Sequence, residues 1–280
     1  MRTDLRESDG QIEYAGVISS NGHIALTLGF GKYDNCSVLY RDRKFTVVDG
    51  PGGSFFVSGL NRHDQLTGYV PTMIAGSVGS GAPCPAVDSA FFCDPTAIND
   101  RGDVIANALD MLDSSMDGAY LCHAGSWIPL GTLGGSTSAT ALSRSGRIAG
   151  VVTLGDGDTH AVEFIHGGIR DIGTLDNAPG SFSHATGVND AHIIIGFVAP
   201  SIGSAAARPF LWVNHRMDDL NDLIDRRDPL ARSVSLGGVS VSPFDGPYIN
   251  EPGEIAVLGI DRRTGRQHAY RLRQVDCGRR

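Results

Sequence analysis

The sequence predicts an all-β fold, a six-bladed β-propeller in which residues 1–280 form a single domain. Three observations predict it. One short segment occurs six times, a second hairpin pattern follows several of its copies, and the copies are spaced by about the length of one blade.

The six copies are GVISSNGHIALT (16–27), SGLNRHDQLTGY (58–69), TAINDRGDVIAN (96–107), ATALSRSGRIAG (139–150), GVNDAHIIIGFV (187–198) and PYINEPGEIAVL (247–258). Each opens on an aliphatic residue: Ile18, Leu60, Ile98, Leu142, Val188 and Ile249. A Ser or Asn follows: Ser19, Asn61, Asn99, Ser143, Asn189 and Asn250. Three residues later stands a residue that tolerates a left-handed backbone: Gly22, Asp64, Gly102, Gly146, His192 and Gly253. Two residues further on an aliphatic returns: Ile24, Leu66, Val104, Ile148, Ile194 and Ile255. Strand, tight polar turn, strand is a β-hairpin.

A second hairpin follows in the stronger copies. HAVEFIHGGIRDIGTL (160–175) alternates apolar and polar residues, turns at Gly167-Gly168 and alternates again. RPFLWVNHRMDDLNDL (208–223) and GAYLCHAGSWIPLGTL (118–133) match it, and CSVLYRDRKFTVVDG (36–50) matches more faintly. From one Ser/Asn to the next the steps are 42, 38, 44, 46 and 61 residues. A four-stranded blade needs about 40–50. The long last step holds an insert, NDLIDRRDPLARS (221–233), that reads as a short helix and loop. The sixth unit stops at its third strand, HAYRLRQVD (268–276), and Arg2-Thr3-Asp4-Leu5 resembles the fourth-strand sequence Arg170-Asp171-Ile172. Residues 2–6 are therefore expected to complete the last blade and leave no exposed edge.

Of the residues, 41% are hydrophobic and 19% charged, enough for one sizeable all-β domain. The 37 Gly fall largely at the repeated turns, which is turn chemistry rather than disorder. The net charge of −8, with no basic surface, speaks against nucleic acid as a partner. No stretch is long enough to span a bilayer. The start MRTDLRESDG is charged and lacks the apolar run of a signal peptide, which points to the cytoplasm. Five Cys is an odd number for a stapled secreted domain. Cys84 and Cys93 are placed to close a loop; the alternative is reduced thiols, with Cys36 and Cys122 at strand-like positions.

The composite pattern LGTLGGSTSATAL (130–142), SRSGRIAG (143–150), HAVEF (160–164) and IRDIGTL (169–175), with DDLNDLIDRRDPL (218–230) as a closing segment, resembles the HAF-repeat family. These are bacterial repeat proteins, many described as extracellular. The resemblance is specific over residues 118–225 and implies a β-propeller. It implies no agreed activity, so it assigns no site residues, and the absence of an export signal departs from the family.

Propellers bind ligands where their innermost strands converge. Those strands should lead into each Ser/Asn turn, at about residues 12–18, 54–60, 94–98, 137–142, 182–188 and 244–249. Five residues before each Ser/Asn stand Tyr14, Phe56, Asp94, Ser138, His184 and Asp245. This is the position where repeat symmetry breaks into chemically varied groups. His184, Asp245 and Asp94 are the candidate catalytic residues, since an imidazole beside carboxylates exchanges protons near neutrality. Tyr14, Phe56 and Ser138, with the flanking Glu13, Phe182 and Phe244, are the candidate substrate-binding residues. The bland alternative is that these residues cap inner strands or face channel water.

Other groups carry less. His160 and His268 fill one slot of the repeat, which argues for structure. His23, His63 and His192 belong to the hairpin turns, and His123 and His166 sit near outer hairpins. No close-spaced set of zinc type appears, Asp110, Asp113 and Asp117 lack the order of a calcium loop, and GTLGGS (131–136) is not a phosphate cradle. No Ser lies in G-x-S-x-G. Neither a cofactor nor a metal is expected. Trp127 and Trp212 are read as core between sheets.

Two functions follow. One is a cofactor-free lyase, cyclase, isomerase or hydrolase acting on a small molecule in the channel mouth, with His184 as general acid or base and Asp245 or Asp94 orienting or protonating. The other is a binding module for a glycan, metabolite or protein. The enzyme is slightly favoured; the sequence is silent on substrate and oligomeric state.

Overall fold

The computed structural model describes residues 16–29, 35–48, 56–69, 91–110, 118–166, 168–176, 180, 182–200, 206–237 and 246–275. The chain falls into two compact units, Met1–Pro129 and Leu130–Arg280. Each begins with the same event, an inner strand running into a Ser/Asn turn.

In the N-terminal unit β1 (Val17–Ile18), β2 (Ile24–Gly29), β3 (Asn35–Arg41) and β4 (Lys44–Val48) form an antiparallel sheet in chain order. β5 (Phe56–Leu60) and β6 (Leu66–Tyr69) form a two-stranded sheet. β7 (Phe91–Ile98), β8 (Val104–Asp110), β9 (Gly118–His123) and β10 (Ser126–Pro129) form a second four-stranded sheet. In the C-terminal unit β11 (Gly134–Leu142), β12 (Ile148–Leu154), β13 (Thr159–Ile165) and β14 (Gly168–Gly173) form one sheet. β15 (Phe182–Val188), β16 (Ile194–Ala199), β17 (Arg208–Val213) and β18 (Arg216–Asp219) form the next. The last sheet holds β19 (Val234–Leu236), β20 (Tyr248–Ile249), β21 (Ile255–Asp261) and β22 (Arg266–Leu272).

The all-β propeller fold stands, but the six-blade count is corrected. Among the described residues there are five four-stranded sheets, a five-bladed propeller arrangement. Among the described residues the copy at Leu60 has two strands, β5 and β6. The reason is visible in the residues. The repeated segment encodes one hairpin, whereas a blade needs a second. After Tyr69 the sequence VPTMIAGSVGSGAPCPAV is rich in Gly, Pro and Ser and lacks apolar alternation. Counting hairpin signatures therefore overcounts blades.

One further expectation changes. In the last sheet β19 and β20 lie end to end on one edge of β21 and β22 lies on the other. The expected closing strand at residues 2–6 lies outside the described residues. The insert at 221–233 is a run of single turns, not a short helix. Its backbone bonds span three residues (Asp228 N–H to the Asp225 carbonyl, Ala231 to Asp228, Ser233 to Leu230). The carboxylates of Asp225 and Asp228 take the amides of Arg227 and Leu230. Such local acceptance competes with helix propagation.

The repeated turns fold as expected. Gly22, Asp64, Gly102, Gly146, His192 and Gly253 all have positive φ, between 60° and 91°. The outer hairpins turn through paired positive-φ residues, Asp42-Arg43, Ala124-Gly125 and Asn214-His215, the geometry that matches strand twist.

A feature of the inner strands was not expected. β5, β7, β11 and β15 each carry a register break three residues before the Ser/Asn, at Ser58, Thr96, Thr140 and Thr186. These bulges release a hydroxyl from the ladder. Ser58 donates to the Pro95 carbonyl, Thr140 to the Ala185 carbonyl at 2.7 Å, and Thr186 to the Pro247 carbonyl. Each bond ties one inner strand to the next copy.

Core packing follows the same logic of close approach. Ala141, Ala149, Ala161 and Ala185 sit with Val188, Ile194, Phe210 and Trp212 in a core shared by the sheets β11–β14 and β15–β18. Small residues let the two faces come together, and Trp212 fills the space they leave, as expected. Trp127 packs against Cys93, Ala106 and Ala108 in its own sheet. Ile195, Leu220, Val234, Leu236, Ile255 and Val257 join the sheets β15–β18 and β19–β22.

Candidate functional site

The Ser/Asn end of each hairpin is an interlocked polar structure. The Asn99 Oδ1 accepts the amides of Arg101 (2.9 Å) and Asp103 (3.0 Å). Asn61 and Asn189 bind their own turns alike, and Ser143 Oγ accepts the Arg147 amide. The spare Asn61 and Asn189 amides reach onward to the carbonyls of Asn99 and Asn250. In both units the third copy supplies a carboxylate that gathers the two copies before it. Asp100 accepts the Arg62 amide and the Ser20 hydroxyl; Glu251 accepts the amides of Arg144 and Asp190, both at 2.9 Å.

Charge pairs line the same ends. His23 Nδ1 donates to Asp64 at 2.6 Å, and Arg41 holds the other Asp64 oxygen at 2.7 Å. Asp103 is buried between His123 Nδ1 (2.6 Å), Arg101 and the Asn99 amide. Burial works against ionisation of Asp64 and Asp103, but these hydrogen bonds outweigh it and hold both carboxyls below their ordinary pKa. Glu163, 1% exposed, is clamped by Arg147 and Arg170. These pairs were missed in the sequence, where each His read as an exposed turn or outer-hairpin residue. The available signal was a His four residues after Ser19 with an Asp three residues after Asn61, the same turn of neighbouring copies. His160 pairs with Asp171 on the adjacent strand, at 2.9 Å.

The opposite, strand-start end holds the residues expected to form a site. Glu13, Tyr14, Phe244 and Asp245 lie outside the described residues. Phe56 and Asp94 belong to the N-terminal unit, and Ser138, Phe182 and His184 to the C-terminal unit. Each residue five positions before the Ser/Asn pairs with one on the neighbouring strand: Phe56 with Tyr69, Asp94 with Asn107, Ser138 with Val151, His184 with Phe197.

Of the expected set, the structure brings Phe182 and His184 together, with Phe197. Their three rings lie at centroid distances of 6.0, 5.9 and 5.4 Å, and His184 stacks on Phe197 with planes 7° apart. Ala199 and Ala207 complete the apolar wall. The neighbouring Ser183 points the other way, accepting the Ala161 amide and donating to the Gly173 carbonyl. His184 is 7% exposed, and its Nδ1 is buried without a hydrogen-bond partner. Burial pulls its pKa from 6.5 down to about 4, a backbone contact at Ala185 resisting. The imidazole is thus neutral near pH 7. Asp94 is moved the other way: burial alone raises its carboxyl to about 6. Ser138 is half-buried in its own strand. Among the described residues no group of three His, Cys, Asp or Glu side chains is placed to hold a metal ion. No helix among them is long and apolar enough to cross a membrane.

Neither Cys36 nor Cys122 is disulfide-bonded. Cys93 is disulfide-bonded, and its partner lies outside the described residues.

The chain matches no family model, and no curated protein matches it. Among solved structures it is similar to the β-propeller domain of the Trilobed protease from Pyrococcus furiosus, which has an open velcro topology. That likeness has a TM-score of 0.58 at 10% identity and covers 92% of this chain and 80% of that one. A mutant of AofleA from Arthrobotrys oligospora aligns with a TM-score of 0.40 at 12% identity, over 94% of this chain and 84% of that one. At this identity the first likeness carries one conclusion: this chain has the β-propeller fold.

Proposed function

We propose that the domain is a recognition module for a small, largely apolar molecule, and that His184 is its polar contact. One observation carries this reading: a buried imidazole nitrogen without a partner, in a wall made of Phe182, Phe197, Ala199 and Ala207. Leaving such an atom unpaired costs about 1–3 kcal/mol, which a ligand's complementary group would recover. The lowered pKa argues against His184 as a general acid or base at neutral pH, because it holds no proton to give and is a weak base.

The test is a thermal-shift screen with phenols, indoles and small aromatic acids on the wild type and on His184→Leu. A fragment that raises the melting temperature of the wild type but not of the variant supports the reading. Equal stabilisation of both, or of neither, overturns it.

The enzyme reading has one observation in its favour: a carboxyl at about 6, Asp94, suits acid/base work. Turnover of any such fragment that is lost in Asp94→Asn would favour it over plain recognition. The repeat pattern supports membership of the HAF-repeat family. The disulfide at Cys93 favours an oxidising compartment over the cytoplasm.

A further inference from the structure

We propose that the contact between Arg147 and His192 is an acid-released joint between the fourth and fifth copies of the repeat. Arg147 stands four residues after Ser143, and His192 three residues after Asn189. Arg147 Nη1 lies 3.0 Å from His192 Nε2. A guanidinium can only donate, so Nε2 accepts and the ring proton sits on Nδ1. An imidazole takes up a second proton between about pH 8 and pH 5. Once Nε2 carries a hydrogen it offers Arg147 no lone pair, and two cations face each other across the joint.

The N-terminal unit holds the equivalent joint with its chemistry reversed. His23 stands four residues after Ser19, and Asp64 three residues after Asn61. His192 and Asp64 share one left-handed backbone conformation, with φ of 64° and 60°. Here the imidazole is the donor: His23 Nδ1 meets the Asp64 carboxylate at 2.6 Å, and Arg41 holds the other carboxylate oxygen. A protonated His23 keeps this bond and adds charge attraction to it. Acid thus tightens the joint between the first two copies and loosens the one between the fourth and fifth.

The surroundings decide which side gives way. Arg147 Nη2 donates to Glu163, a buried carboxylate whose other oxygen is held by Arg170. Withdrawing Arg147 would strip that buried charge of a partner. His192 sits on an exposed turn. Asp190 of the same turn accepts the Ser145 amide at 2.8 Å and pairs with Arg144 at 3.4 Å. Glu251, from the sixth copy, accepts the amides of Arg144 and Asp190. Both carboxylates are therefore committed, and the His192 turn is the part that moves off Arg147.

The experiment is amide hydrogen exchange on the full chain at about pH 8 and about pH 5, corrected for the intrinsic pH dependence of exchange. The reporters are the amides of Ala191, His192 and Ile193, which donate within the Asn189 turn. Their protection should fall at least about threefold on acidification. In His192→Gln, whose side-chain oxygen accepts from Arg147 and does not titrate, it should stay within about twofold. The amides of His63, Asp64 and Gln65, which donate within the Asn61 turn, should lose none. No fall in the wild type, an equal fall in His192→Gln, or an equal fall at the Asn61 turn overturns the proposal. A second readout needs no variant: nitrogen NMR of the wild type at pH 8 should find the His192 hydrogen on Nδ1, and a hydrogen on Nε2 overturns the proposal.

Discussion

His184 and Phe197 lie ring on ring across neighbouring strands, centroids 5.4 Å apart and planes 7° from parallel. The Phe197 ring and the apolar wall around it exclude water from the imidazole without offering a hydrogen bond to Nδ1. Proton affinity and stability at this end of the C-terminal unit follow from that contact, and the proposed recognition role rests on it.

His184→Leu keeps the apolar bulk and removes the unpaired nitrogen. At pH 7 the variant should be as stable as the wild type or more stable by about 1 kcal/mol. The difference should widen on acidification. The native pKa is depressed to about 4, so between pH 6.5 and 4 the unfolded chain binds a proton that the folded chain does not. Wild-type stability therefore falls through that window by roughly 3 kcal/mol on this group's account, and the variant lacks this loss. Urea unfolding of both proteins at pH 7 and pH 5 checks it.

Asp94 should show the opposite slope. Its folded-state pKa is raised to about 6, so the folded chain holds a proton between pH 3.8 and 6 that the unfolded chain has released. Its contribution to stability is present at low pH and is lost as pH rises through the folded pKa. Asp94→Asn should be more stable than the wild type above pH 6 and lose this dependence. Melting temperatures across pH 5–8 decide it, and a wild-type advantage at pH 8 contradicts the assignment.

The turn caps predict a graded series. Asn99→Ala strands the amides of Arg101 and Asp103 and releases the Asp103 carboxylate from the Asn99 amide group. It should cost about 2 kcal/mol. Asn99→Ser should cost about half as much, because Ser143 caps the equivalent turn with one hydroxyl. Chemical denaturation of the pair measures the ratio.

Gly196 is held by packing rather than by backbone conformation. A Cβ there would stand 1.9 Å from the His184 carbonyl oxygen and 2.8 Å from the Phe210 ring. Gly150, at the same place in its own copy, would meet the Ser138 carbonyl at 2.1 Å. Gly196→Ala should lower stability by about 2–3 kcal/mol through displaced strands. Gly157→Ala, which meets no neighbour, isolates the purely conformational cost of its φ of 94°.

Much of this fold was legible because it is local. Asn99 and Gly102 specify their hairpin within one turn, and the same spacing at all six copies marked the inner strands. The blade count was not legible at Leu60, because a hairpin signature says nothing of the strands that must follow it. The direction of the site residues was hidden by the bulges at Ser58, Thr96, Thr140 and Thr186. Each shifts the two-residue alternation once between the cap and the residue five places before it. The sequence alternation alone did not show that His184 packs on Phe197 of the neighbouring strand. The His23–Asp64 and His123–Asp103 pairs were hidden for another reason: they form across sequence separations of 41 and 20 residues.

The most direct test of the account is the titration of the His184 ring, followed by its imidazole carbon-bound protons in NMR spectra from pH 7 to pH 3.5. The account predicts a ring that stays neutral down to pH 5 and titrates near 4. A midpoint near the ordinary 6.5 would place the imidazole in water or beside a carboxylate, and would contradict both its burial on Phe197 and the recognition role built on it.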